Sequence, residues 1–290
     1  MSRTKDRMRE NNLRYKHALG QHFLYDEEVL SALTEAAGVS PEEDVLEIGP
    51  GCGSLTKHLC RAARQVLAVE LDERLIPLLS AFLSEEKNFI VVQGDVMTLD
   101  LNQVTSGLRK PFAVVANIPY YITTPLIQRL LGEDLAACRL ALMVQKEVAD
   151  KILSAPGEEG WGPLAVRCQY LCAPYRALEV PAERFTPPPK VDSTFVVLPR
   201  REHPAVQVKS EDMFFRVAAA AFALRRKTML NNLCATFRVP REQGLAWIQA
   251  AGLEEKVRGV KLTLEELGRL SDAMMEGEEP DGRLGEERGG

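Results

Sequence analysis

Val45-Leu46-Glu47-Ile48-Gly49-Pro50-Gly51-Cys52-Gly53 is the stretch on which the reading of this chain turns. A short apolar run interrupted by one acid and closed by alternating glycines has the form of a buried parallel strand that ends in a tight turn. Such a turn lets a ligand lie against the backbone before the next helix, which Ser54 is placed to cap and which carries Leu55, His58 and Leu59. Glycine loops of this kind also hold the pyrophosphate of nicotinamide cofactors. Here, however, the spacing is Gly-x-Gly-x-Gly, not Gly-x-Gly-x-x-Gly, and Glu47 would repel a pyrophosphate. An acid at that point suits a cation, and S-adenosylmethionine (SAM) carries both a sulfonium and an ammonium.

The flanking sequence repeats the strand-helix alternation. Strands are expected over 66–70, 89–92, 112–117 and 140–144, with helices from Asp72 to about Leu83, from about Thr124 through Leu131, and from Lys146 to Leu153. A Gly-rich loop at 156–162 precedes another helix, and two late β-rich stretches follow at 175–180 and 194–198. The pattern predicts a Rossmann-like, doubly wound α/β sheet. It is mostly parallel with a late antiparallel strand, and its ligand lies at the carboxyl ends of the strands. Asp26 starts a helix with Val29, Leu30, Leu33 and Ala37 on one face. Before it, Gly20 beside the anchors Phe23 and Leu24 suggests an ordered lead-in. Beyond Pro199-Arg200-Arg201 the strands stop, and about 210–274 reads as four or five helices, with Phe214, Val217, Ala218, Ala221 and Phe222 at helical spacing.

The strand ends carry the chemistry. Glu70 closes the second strand 21 residues after Gly49, where a carboxylate can take both ribose hydroxyls. Asp95 follows the third strand, where it can accept the exocyclic amine of a cofactor adenine. Asn117-Ile118-Pro119-Tyr120 follows the fourth. Pro119 stiffens that turn and removes a donor, so an amide, free carbonyls and an aromatic ring converge as a pocket for a flat, amino-bearing base requires. Acids on consecutive strand ends, with Asn117 on the next, point to a SAM-dependent methyltransferase. The domain division follows: a basic arm at 1–16, the methyltransferase domain at 17–201, a small helical domain at 202–275 and an acidic tail at 276–290, expected to be disordered.

Composition narrows the field. The apolar runs fall short of the ~20 residues of a membrane span, and the N-terminus is polar and basic without a signal-type segment, so a cytoplasmic protein is expected. The six cysteines and four histidines are dispersed without ligand spacing, and no metal is expected. The net charge of −5 hides an asymmetry. Residues 1–16 carry a balance of +4, a candidate phosphate-seeking arm, whereas 276–290 carry −4.

With these strand ends in hand, the chain resembles the KsgA/RsmA-type ribosomal RNA adenine dimethyltransferases over about 16–270. The likeness rests on Gly20-Gln21-His22-Phe23-Leu24, the 47–53 loop, Gly94-Asp95, Asn117-Ile118-Pro119-Tyr120, Phe185-Thr186-Pro187-Pro188-Pro189-Lys190-Val191-Asp192-Ser193 and Arg225-Arg226-Lys227-Thr228-Met229-Leu230. It departs from the family pattern at His22, where Asn is common, and at Gly162-Pro163-Leu164-Ala165-Val166, where Gly-Arg-Leu-Ser-Val is usual. The resemblance implies SAM contacts from His22, Leu24, Gly49, Gly51, Glu70, Asp95 and Asn117. It also implies that two adjacent adenosines, in a hairpin near the 3′ end of small-subunit rRNA within an immature 30S particle, are each methylated twice on N6. A monomer is expected.

Catalysis is assigned to the Asn117 side-chain oxygen with a backbone carbonyl of Ile118 or Pro119. The flipped base is expected between Tyr120 and Phe185, with Tyr121 structural. Lys190, Arg225, Arg226 and Lys227 are candidate phosphate contacts, although the basic cluster also suits a helix end. Three rival readings are an Erm-type enzyme of large-subunit rRNA, a DNA adenine methyltransferase, and an assembly checkpoint factor for which methylation is secondary.

Overall fold

The computed structural model describes residues 22–276. The basic arm, Gly20-Gln21 of the lead-in and residues 277–290 of the tail lie outside the described residues. In chain order the first unit runs β1 (Phe23–Leu24), α1 (Glu27–Ala36), β2 (Asp44–Ile48), α2 (Ser54–Ala62), β3 (Gln65–Glu70), α3 (Ile76–Phe82), β4 (Phe89–Gln93), α4 (Leu101–Val104), β5 (Phe112–Asn117), α5 (Thr123–Gly132), β6 (Ala137–Gln145) and α6 (Lys146–Leu153). It is completed, after α7 (Pro163–Leu171), by β7 (Tyr175–Val180), β8 (Phe185–Thr186) and β9 (Ser193–Pro199).

Seven of these strands form one sheet in the order β4-β3-β2-β5-β6-β9-β7, in which β4 through β6 are mutually parallel and β9 runs antiparallel to both its neighbours. The chain moves outward from β2 to β4 and then crosses back to place β5 beside β2, so the order reverses between β2 and β5. In open α/β sheets ligands bind at such a reversal, outside the carboxyl ends of the strands. The register aligns Ile48 with Ala116, which brings the glycine loop after Ile48 alongside Asn117. β2 and β5 are buried almost throughout, as continuous Val/Ala/Leu runs flanked by helices on both faces require. β1 pairs antiparallel with β8, Leu24 opposite Phe185, tying the lead-in to a segment 161 residues later.

Two local expectations change. Ser54 does not cap α2. The cap position is Gly53, at φ 83°, and Ser54 is the first helical residue, its hydroxyl 3.5 Å from the Cys52 thiol. The helix expected from Asp72 opens instead as a 3₁₀ turn, Glu73–Leu75, before α3, with Asp72 accepting from the Arg74 N–H at its cap.

The second unit comprises the described residues from His203, with α8 (Glu211–Ala223), α9 (Met229–Phe237), α10 (Arg241–Ala250) and α11 (Leu264–Glu276), together with Ala155–Val166. Residues 155–166 therefore leave the methyltransferase domain to which the sequence division gave them. The reason is hydrogen bonding. Gly157 N–H donates to Val260 O at 2.8 Å, and the buried Trp161 indole donates to Leu262 O at 3.1 Å. A buried indole N–H needs an acceptor, and the helical unit supplies it.

Candidate active site

The cleft at the sheet reversal is lined from both sides: by Glu47, Gly49, Gly51, Glu70, Asp95 and Val96 around the ends of β2, β3 and β4, and by His22, Leu24, Asn117, Ile118, Pro119, Tyr120 and Tyr121 around the end of β5. Among its described lining residues stand three carboxylates and no lysine or arginine. That balance favours a cation and opposes a pyrophosphate.

The glycine loop is shaped by conformations that side chains resist. Gly49 and Gly51 have φ of 68° and 59°. A Cβ on Gly51 would also lie 2.8 Å from the Phe23 ring, whereas one on Gly49 would meet open space. The backbone at Gly49 therefore presents a bare surface on which a ligand can lie.

The three acids differ in what holds them. Glu70 is buried and accepts from the Gly51 N–H at 3.0 Å and the Asp72 N–H at 2.8 Å, which fixes both oxygens. Burial pushes its pKa up, opposed by those backbone donors. Asp95 accepts from the Met97 N–H at 2.8 Å through one oxygen, and the other takes no hydrogen bond from the described residues. Glu47, only 2% exposed, has one carboxylate oxygen with no partner. Burial raises its pKa to about 8, with the Thr56 hydroxyl opposing and the Glu70 charge adding. A buried carboxyl with one unpartnered oxygen, whose ionised form a neighbouring cation would favour, beside an open glycine surface fits the cationic end of SAM, so Glu47, Gly49, Gly51, Glu70 and Asp95 are the residues that would hold that cofactor.

On the other side, Asn117 Nδ2 donates to the His22 carbonyl at 3.1 Å. The His22 ring stacks on Tyr120 with centroids 5.5 Å apart, and its Nδ1 donates to Pro187 O at 2.7 Å. The Tyr120 hydroxyl bonds the Ser193 hydroxyl at 2.8 Å, and burial pushes the phenol pKa up, which keeps it protonated. Ser193 belongs to a quoted motif, yet its pairing with Tyr120 leaves no trace in the sequence.

Two aromatic expectations are revised. Phe185 is 2% exposed and packs in the core with Leu24, Leu30, Leu33 and Phe195; it does not line the cleft. Its strand pairs with β1, which turns the ring inward. Tyr121, read as structural, is 57% exposed at the cleft. Of the basic candidates, Lys190, Arg226 and Lys227 are exposed and form no ion pair with described residues. Arg225 donates to Trp161 O at 3.0 Å and Glu159 O at 2.9 Å, bracing the 155–162 loop within the helical unit. Among the described residues no cluster of His, Cys, Asp and Glu is arranged to hold a metal, and no helix is long and apolar enough to cross a membrane.

A protein of Enterococcus faecalis named ribosomal RNA small subunit methyltransferase A is 42% identical over 280 residues, 94% of this chain and 95% of that protein. Its namesake in Geobacillus thermodenitrificans is 40% identical over 282 residues, with the same coverage of each. Among solved structures, a dimethyladenosine transferase from Plasmodium falciparum superposes with a TM-score of 0.73 at 26% identity, over 86% of this chain and 96% of that one. The 23S rRNA methyltransferase ErmE superposes at 0.68 with 30% identity, over 87% and 99%. The sequence model of the ribosomal RNA adenine dimethylases matches residues 12–274. On the sequence match and the fold together, the chain belongs to the ribosomal RNA adenine dimethylase family.

Proposed function

We propose that the chain uses SAM to dimethylate N6 of two adjacent adenosines in a hairpin near the 3′ end of small-subunit rRNA. The observation that carries this reading is the pinned amide of Asn117. With Nδ2 donating to the His22 carbonyl, Oδ1 is left to accept a proton from an exocyclic amine. The amide stands at the sheet reversal, in the same cleft as Glu47.

Adenine N6 is a poor nucleophile because its lone pair is delocalised into the ring. Acceptors on both of its protons draw the nitrogen towards a pyramidal shape and aim the lone pair. Asn117 Oδ1 is one acceptor. Pro119 O already accepts from the Ile122 N–H at 3.1 Å and the Thr123 hydroxyl at 3.4 Å, whereas Ile118 O accepts from no described donor. The Ile118 carbonyl is therefore the second acceptor.

Tyr120 presents a ring face to the flipped base, held in orientation by His22 and Ser193. Phe185 would supply the opposite face only by turning out of its core. Bound SAM would supply the electrophilic methyl on its sulfonium, with Glu47 to hold the cationic end, Glu70 the ribose and Asp95 the adenine amine. Orientation of this kind is worth roughly 7–11 kcal/mol, so no metal or strong base is needed.

The relatives named for the small subunit share 40–42% identity over 94% of the chain, against 30% for the 23S enzyme, which favours the small-subunit target. The immature 30S particle is then the partner, met in the cytoplasm by a monomer, with exposed Lys190, Arg226 and Lys227 available to phosphates. The test is methyl transfer from labelled SAM to immature small subunits, large subunits and DNA in parallel, with the modified base mapped. Label on tandem N6-dimethyladenosines of the small subunit alone is expected; label on large-subunit adenine or on DNA would overturn the assignment.

A further inference from the structure

Arg129 lies on α5, nine residues after Tyr120, and its side chain is 16% exposed. Its Nη1 donates to Val96 O and its Nη2 to Leu99 O, while Nε donates to Glu133 Oε1 at 2.5 Å. Both carbonyls belong to the loop that begins at Gly94-Asp95. Within that loop the Thr98 and Leu99 N–H groups donate to Asp95 O at 2.9 Å, and the Met97 N–H donates to the Asp95 carboxylate. The guanidinium fork thus grips the loop at two points, and Glu133 fixes the fork. A planar guanidinium suits such a two-point hold, whereas an ammonium is a single point charge.

What the loop presents to the cleft is an acceptor next to a donor. Among the described residues Asp95 Oδ2 accepts no hydrogen bond and the Val96 N–H donates none, and both residues line the cleft. An exocyclic amine beside a ring nitrogen, as on adenine, needs that pair in one plane. The Val96 N–H and its carbonyl partner of Arg129 flank a single residue, so loss of the grip on Val96 O lets the donor swing.

We infer that Arg129 is a positioning residue for the adenine of the cofactor, acting through Asp95 and Val96 from the helix that follows the Asn117–Tyr120 turn. This rests on the SAM reading of the cleft. Arg129 also makes the adenine loop and α5 one mechanical piece, so the element that carries the base-binding turn sets the seat of the cofactor.

The experiment measures SAM and S-adenosylhomocysteine dissociation constants by calorimetry, and kcat, KM and thermal midpoint, for wild type, Arg129→Met, Arg129→Lys and Asp95→Asn. Arg129→Met is expected to weaken both ligands about tenfold with kcat at saturating SAM within about twofold, and Arg129→Lys to fall between it and wild type. In the double variant Arg129→Met with Asp95→Asn, the two losses should be less than additive, because both act on one contact. A purely structural role would lower the midpoint and leave a fully additive cycle. Unchanged affinity in Arg129→Met, or in Arg129→Lys should the first variant not fold, overturns the inference while wild type still binds SAM. A wild type that binds neither ligand overturns the SAM reading and the inference together.

Discussion

The two sides of the cleft are built differently. On the cofactor side, Glu70 and Asp95 are held by backbone N–H groups of nearby segments: Gly51 lies 19 residues from Glu70, and Asp72 and Met97 lie two residues from the acids they bind. On the base side, the ties are long-range. Asn117 meets His22 across 95 positions, Tyr120 meets Ser193 across 73, and His22 meets Pro187 across 165. Backbone donors come with the fold and cost no side-chain entropy to aim, so the acids of the cofactor side are aimed once their strands pair, and the Arg129 grip on the Asp95 loop is added by a later helix. Side-chain partners from distant segments must all dock first, and they can be altered one at a time. Substitutions on the two sides should therefore separate into effects on SAM affinity and effects on turnover.

The largest separation is expected at Asn117. Asn117→Ala should lower kcat by ~10² or more, as loss of one positioned hydrogen bond at a reacting centre does, and leave the SAM dissociation constant nearly unchanged. Single-turnover methyl transfer with calorimetry checks both; unchanged turnover would mean that the base side does not work through this amide.

Glu70→Gln is the mirror case. Removing a charged acceptor for two hydroxyls should weaken SAM about 10- to 100-fold while kcat at saturating SAM changes little. A fall in kcat of the Asn117→Ala size would erase the distinction between the two sides.

Glu47 offers a pH test. The folded chain retains a proton on Glu47 up to about pH 8, whereas the ordinary value is 4.5. Between these values the unfolded chain has released a proton that the folded chain still holds. Stability should therefore fall as pH rises through that window, by at most about 1.4 kcal/mol per pH unit. Glu47→Gln, which cannot release a proton, should flatten the midpoint-against-pH profile over that range. Identical profiles would show that Glu47 does not titrate there.

The smallest effect is expected at Tyr120→Phe, which keeps the ring and loses only its bond to Ser193. A cost of about 1 kcal/mol in stability or rRNA KM, with SAM affinity intact, is the expected outcome. A change in SAM affinity would indicate that the base side braces the cofactor side more widely than through Arg129.

Much of the cofactor side was legible because its signals are local. An acid two residues before a glycine, a strand-ending acid and a Gly-Asp pair mark strand ends whatever the rest of the chain does, and the βαβ alternation places them on one edge of a sheet. The base side was legible only as a motif. Neither the inward packing of Phe185 nor the exposure of Tyr121 follows from sequence, because both depend on the pairing of β1 with β8 and on the turn after β5. The reassignment of 155–166 has the same origin, since the acceptor for Trp161 lies 101 residues downstream.

The sequence by itself determined the parallel sheet, the glycine loop, the acids at the strand ends and the Asn117–Tyr120 turn, because periodicity and backbone restriction act over a few residues. Only the tertiary structure decided which amide end of Asn117 is free, that the Ile118 carbonyl is the open one, and that Arg129 holds the Asp95 loop. Each of these is fixed by a donor or acceptor that another segment either uses or leaves unused, and such partners have no periodic trace along the chain.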